Sequence, residues 1–134
     1  MKKREFVIYD RIRNKFVYAT EEEFIRQKVI NHLIENMRIS PLHIAVEKRA
    51  PYKKTRFDIL VFSRNLKPLL LIECKKPEEN INEQHLAQLL NYNRDIKARF
   101  ICLTNWDKWL IAELLENNSG YRILDSLKKI LELY

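Results

Sequence analysis

The chain has 134 residues, 46% of them apolar, which is enough for one core and predicts a single domain over 1–134. A single Gly and four Pro exclude a flexible linker, a repeat array and a low-complexity tract, and no apolar run approaches the ~18 residues of a membrane span. Lys plus Arg number 25 against 18 Asp plus Glu, a net charge of +7 that suits a polyanionic partner.

The first residues, MKKREFVIYDRIRNKF, carry charges every few positions and lack the apolar stretch of a secretory signal, so the expectation is a cytoplasmic protein without membrane contact. Residues 6–9 and 15–18 are β-branched or aromatic around a polar stretch, which predicts a β-hairpin. Thr20 followed by Glu21, Glu22 and Glu23 is a helix start: a hydroxyl caps orphan N–H groups, and carboxylates sit at the positive end of the dipole. Ile25, Val29, Ile30, Leu33, Ile34 and Met37 then recur at helical spacing and predict an amphipathic helix over 21–38.

A short strand over 43–47 leads into a loop, 48–56, that carries Lys48, Arg49, Lys53, Lys54 and Arg56. FDILVFS (57–63) and PLLLIECK (68–75), joined by the polar turn RNLK, are the clearest strands. After a polar break at 77–82, residues 83–93 place Leu86, Leu89 and Leu90 on one helical stripe. Strands are expected over 99–104 and 106–112, and the tail 121–134, with Leu124, Leu127, Ile130 and Leu131, is expected to close as a helix. This order predicts an α/β chain with a mixed sheet of about four to five strands flanked by helices. Cys74 and Cys102 sit inside apolar stretches and should pack as small hydrophobes; with three scattered His they lack the paired spacing of a structural zinc site.

Asp58 interrupts an apolar strand, and Glu73 interrupts its neighbour; a carboxylate near a sheet interior is costly unless it is paired or binds a metal. If RNLK closes a tight hairpin with Ser63 opposite Pro68, Asp58 falls directly across from Glu73, with Cβ atoms about 4.5–5.5 Å apart. Two like charges at that distance repel, and a divalent cation removes the repulsion. Lys75, two residues beyond Glu73, shares its face, whereas Cys74 points to the other side. Hard oxygen ligands suit Mg²⁺, for which Mn²⁺ can substitute, and the adjacent Lys could orient or help deprotonate a bound water for phosphodiester hydrolysis. The competing arrangement is a plain ion pair of Lys75 with Glu73 or Asp58 at an exposed sheet edge. Spacing alone does not separate the two.

The string running from Asp58 to Glu73-Cys74-Lys75 resembles the Asp, then Glu-x-Lys, signature of the PD-(D/E)xK nuclease superfamily. TEEEFIRQ (20–27), AVEK (45–48), ECKKP (73–77), QHLAQLLNY (84–92) and LTN (103–105) are similar to the N-terminal nuclease domain of type I restriction enzyme restriction subunits. The resemblance covers roughly residues 5–113. It implies a restriction-endonuclease-like core, with Asp58 and Glu73 as metal ligands, the Cys74 carbonyl as a further one and Lys75 as the catalytic lysine.

The same pattern implies an upstream acid on a helix and a Gln-xxx-Tyr element, here Gln88 and Tyr92. Glu22, one turn from Arg26 on the face shared with Val29 and Leu33, is the first candidate for the acid, and Glu23 the second. A helix start decorated by three acids, with Arg26 paired to one of them, is the alternative. Gln84, Gln88 and Tyr92 form an i, i+4, i+8 stripe away from Leu86 and Leu90, suited either to touching the substrate backbone or simply to solvent. Lys48, Arg49, Lys53, Lys54, Arg56 and Lys76 could grip phosphates beside the cut or be a solvated run.

The chain departs from the family pattern at Glu21, where Pro is frequent, and at Trp106, where Gly is usual. The second should alter the loop, since a Trp is expected to be excluded from the φ > 0 conformations open to Gly. No Gly-rich phosphate loop is present, which excludes ATP-driven translocation by this chain and makes a separate motor or specificity chain an implied partner beside DNA. The expected function is therefore a metal-dependent DNA endonuclease. A non-catalytic nucleic-acid-binding module acting with a partner chain is the alternative, and the oligomeric state, a homodimer included, is open.

Overall fold

The computed structural model describes residues 6–46 and 57–134. Strands β1 (Val7–Asp10) and β2 (Lys15–Tyr18) form an antiparallel ribbon separate from the main sheet, as their composition predicts. Its turn is built by Asp10, whose Oδ1 accepts the backbone N–H groups of Ile12 at 2.8 Å and Arg13 at 2.7 Å.

Helix α1 (Glu21–Asn31) starts where Thr20 accepts the Glu23 N–H at 3.1 Å. It widens into a π turn over His32–Asn36, closed by the Met37 N–H on the His32 carbonyl at 3.1 Å. The expected helix over 21–38 is thus α-helical only for its first eleven residues.

Strands β3 (Ile44–Val46), β4 (Ile59–Phe62), β5 (Pro68–Cys74), β6 (Phe100–Thr104), β7 (Trp109–Leu114) and β8 (Tyr121–Leu124) form a six-stranded sheet in sequence order. Strands β5 and β6 run parallel and are joined by the crossover helix α2 (Glu83–Ile96); the other neighbours are antiparallel. Alternation divides the core. Ile59, Val61, Leu70, Ile72, Cys74, Phe100 and Cys102 face Ile25, Val29 and Leu33 of the α1 side, and Leu60, Leu71, Ile101 and Leu103 face Leu86 and Leu89 of α2. The fold is the expected mixed sheet flanked by helices.

Three local expectations are corrected. The tail is not one helix: residues 121–124 pair antiparallel with β7, Ile111 opposite Leu124 and Leu114 opposite Tyr121, and only Lys128–Leu133 is helical, as α3. The helical spacing of Leu124 and Leu127 competes with an open strand edge whose N–H and C=O groups need partners, and Gly120 at φ 123° turns the chain back onto it.

The hairpin between β4 and β5 pairs Phe62, not Ser63, with Pro68, because a bulge falls between Val61 and Phe62. Deeper in the hairpin, Val61 with Leu70 and Ile59 with Ile72 keep the expected register.

Trp106 does adopt the left-handed region, at φ 81°. Its N–H donates to Thr104 Oγ1 at 2.9 Å, its carbonyl accepts from Trp109 Nε1 at 2.9 Å, and its ring meets those of His32 and Trp109 at 5.9 and 5.8 Å. These contacts offset strain of about 1–3 kcal/mol.

Candidate active site

Strand alternation puts Glu73 and Lys75 on the same face as Leu71, at the C-terminal end of β5, with Glu73 beside Leu103 of β6. Asp58 lies in the bend before β4, one residue outside the β4–β5 ladder, and is near enough for its charge to act on Glu73. Its Oδ2 accepts the backbone N–H of Cys74 at 2.8 Å, and its Oδ1 accepts from Arg26 Nη2 at 3.0 Å. The acid is therefore tied to β5 between Glu73 and Lys75.

Glu73 Oε1 stands 3.8 Å from Lys75 Nζ, while Glu73 Oε2 is buried with no hydrogen-bond partner among the described residues. Burial holds the Glu73 carboxyl above the usual carboxylate range; Lys75 opposes the rise, and the carboxylates of Asp58, Glu22 and Glu79 add to it. Lys75 Nζ also lies 3.9 Å from Glu79 Oε2. Glu79 escaped the sequence reading. The turn after Pro77 brings it back, with its N–H on the Lys76 carbonyl at 3.0 Å and its own carbonyl held by Asn105 Nδ2 at 3.0 Å. The Pro-Glu-Glu-Asn run was a turn signal that could have pointed to it.

On α1 the two candidate acids separate. Glu22 is half-exposed, with Oε1 3.5 Å from Arg26 Nη2, so it does not point inward as fully as expected, yet it is close enough to act on Glu73. Glu23 is buried and pairs with both Arg26 and Arg13, with Gln27 Nε2 at 3.3 Å. Gln27 Nε2 and Arg13 Nε each also reach Asp10 Oδ2 at 2.8 Å. Burial alone would push the Asp10 carboxyl up, but hydrogen bonds from Arg13, Gln27 and Ile12 outweigh it and hold it below its ordinary value.

The Cys74 thiol is buried on the α1 side and burial pushes it well up, which leaves the main-chain carbonyl as the group a hard cation would use there. Gln84 and Gln88 are exposed and Tyr92 is 40% exposed; among the described residues no hydrogen bond joins any of the three to the carboxylates. Lys76 is exposed and lines a cleft of about 720 Å³ with Arg13, Tyr18, Glu22 and Arg26. Lys48, Arg49, Lys53, Lys54 and Arg56 lie outside the described residues.

Among the described residues no group of three or more His, Cys, Asp or Glu side chains forms a metal cage. An ion here would rest on two carboxylates, a carbonyl and waters, a set that Mg²⁺ accepts. The buried Oε2 of Glu73, without a hydrogen-bond partner among the described residues and near the carboxylates of Asp58, Glu22 and Glu79 as well as Lys75, fits such an ion.

Among the described residues no helix is long and apolar enough to cross a membrane. No curated protein matches the chain. A family model for the type I restriction enzyme R protein N terminus matches residues 21–127, a span that holds α1, the main sheet and every residue of the cluster. The chain belongs to the family of type I restriction enzyme R protein N-terminal domains.

Proposed function

We propose that the chain is a Mg²⁺-dependent DNA endonuclease centre of the PD-(D/E)xK kind, carried on a type I R-protein N-terminal fold. The observation that carries this reading is Glu73. It is a partly buried carboxylate with one oxygen unpartnered among the described residues, near Asp58 and within 3.8 Å of the Lys75 ammonium. Asp58, Glu73 and the Cys74 carbonyl would hold the ion. When bound, a divalent cation neutralises charge developing on a phosphodiester and acidifies a coordinated water.

The chain's own groups do the rest. Lys75 Nζ donates hydrogen bonds that orient the attacking water or a phosphate oxygen. Glu79 and Glu73 hold that ammonium from two sides. The Cys74 N–H and Arg26 keep the Asp58 carboxylate turned toward β5. Lys76 beside the cleft would contact backbone phosphates, as would the basic residues of 48–56, and the net charge of +7 favours such a polyanion.

One observation favours a second reading. Both oxygens of Asp58 have partners without a metal, so the acid is accommodated in a nucleic-acid-binding module that acts with a motor or specificity chain and holds no ion.

Supercoiled plasmid incubated with Mg²⁺ separates the two. The endonuclease reading predicts nicking by the wild type that is lost in Glu73→Ala and Lys75→Ala. Salt-dependent DNA binding without nicking, at high enzyme excess and with Mn²⁺ as well, contradicts it and supports the second.

A further inference from the structure

Asp58 precedes the first ladder pair of β4, so strand pairing does not fix its side chain. Two hydrogen bonds do, one from the Cys74 N–H and one from Arg26. Arg26 is itself buried, its side chain only 6% exposed, and it spans carboxylates from two distant parts of the chain: Glu23 on its own helix and Asp58 across the sheet end.

Burying a guanidinium is costly unless its partners are well placed. Here they are held in turn. Glu23 accepts from Arg13 and Gln27, and both of those reach Asp10, so a continuous set of charged contacts runs from the β1–β2 ribbon through α1 to the site.

Only a planar, forked donor can serve Glu23 through Nη1 and Asp58 through Nη2 with both geometries fixed. A lysine could neutralise the charge but would not hold both carboxylates at once.

We propose that Arg26 is a positioning residue for the centre: anchored on Glu23, it holds the Asp58 carboxylate in the orientation that presents it beside Glu73 to a divalent cation. The inference rests on the endonuclease reading above. Arg26 touches neither the substrate nor the ion; it acts through Asp58. The β1–β2 ribbon contributes by fixing Glu23, which gives that ribbon a part in the site although it lies outside the main sheet.

The test uses the full chain as wild type, Arg26→Gln, Arg26→Lys and Glu23→Gln. Mn²⁺ affinity is read by calorimetry, plasmid nicking supplies kcat and KM, and circular dichroism reports folding. Supporting residues of metal ligands typically control affinity or activity by about 10–100-fold. Arg26→Gln should lose Mn²⁺ affinity and kcat in that range with little change in KM for DNA, and Arg26→Lys should fall between it and the wild type. Glu23→Gln, which keeps the guanidinium but loosens its anchor, should shift in the same direction.

Folded variants with wild-type Mn²⁺ affinity and kcat, even if their melting temperature drops, would overturn the inference and leave Arg26 a purely structural residue. If Arg26→Gln does not fold, Arg26→Lys and Glu23→Gln are read by the same criterion. Failure of the wild type to bind Mn²⁺ or nick DNA would instead sink the endonuclease reading.

Discussion

The backbone N–H of Cys74 donates to Asp58 Oδ2 at 2.8 Å, which fastens the acid before β4 to the strand that carries Glu73 and Lys75. This contact gives Asp58 a structural duty separable from any chemical one. Asp58→Ala leaves the Cys74 N–H and the Arg26 guanidinium without that acceptor, and should cost about 1–3 kcal/mol in denaturant unfolding. Asp58→Asn keeps an oxygen for the N–H but turns its amide NH₂ toward Arg26 and loses the charge. It should recover only part of that stability while losing divalent-metal binding, measured by Mn²⁺ calorimetry beside an unfolding curve.

Glu73 makes a pH-dependent prediction with a definite sign. Its carboxyl is raised in the folded chain, first by burial and then by Asp58, Glu22 and Glu79, so ionising it works against the fold. Whatever stability the protonated form contributes is fully present below the ordinary Glu value of 4.5 and is lost as pH rises through the higher folded value. In metal-free buffer Glu73→Gln should therefore melt higher than the wild type at pH 7, and the gap should close in acid below about pH 4. Thermal melts at several pH values check this, and added Mn²⁺ should stabilise the wild type alone. A Gln variant less stable at pH 7 would show that the Lys75 ion pair outweighs burial.

Cys74 and Cys102 are both buried, and burial pushes each thiol above its usual range. Neither is a poised nucleophile. In native buffer at pH 8 an aromatic disulfide reagent should label neither thiol on a timescale of minutes, and both should react at once in denaturant. Fast native labelling of Cys74 would mean that the end of β5 opens in solution.

Much of this arrangement was readable before the fold. Thr20 with three acids marked the start of α1, and the tight RNLK hairpin gave the pairing that Val61 with Leu70 and Ile59 with Ile72 keep, although the pair that closes it is Phe62 with Pro68. The bulge at Val61/Phe62 was not readable, because turn residues alone do not say which strand takes an extra residue. Nor was β8: Tyr121–Leu124 has mixed helix and strand character, and the free edge of β7 decides it.

At the site, the pairing of Arg26 with its own helix followed from i, i+4 spacing. Its reach to Asp58 spans 32 residues of sequence and no periodicity encodes it. Glu79 depends on how one turn folds, whereas the exposure of Gln84, Gln88 and Tyr92 followed from the helical stripe of Leu86 and Leu89 that meets the sheet. Trp106 at φ 81° shows a side-chain cluster overriding a backbone preference.

The most direct test of the metal-dependent centre is an anomalous difference map from a crystal of the chain soaked in Mn²⁺. The account predicts one strong peak within about 2.0–2.5 Å of carboxylate oxygens of both Asp58 and Glu73. No peak there, with Glu73 still on Lys75 alone, would contradict it.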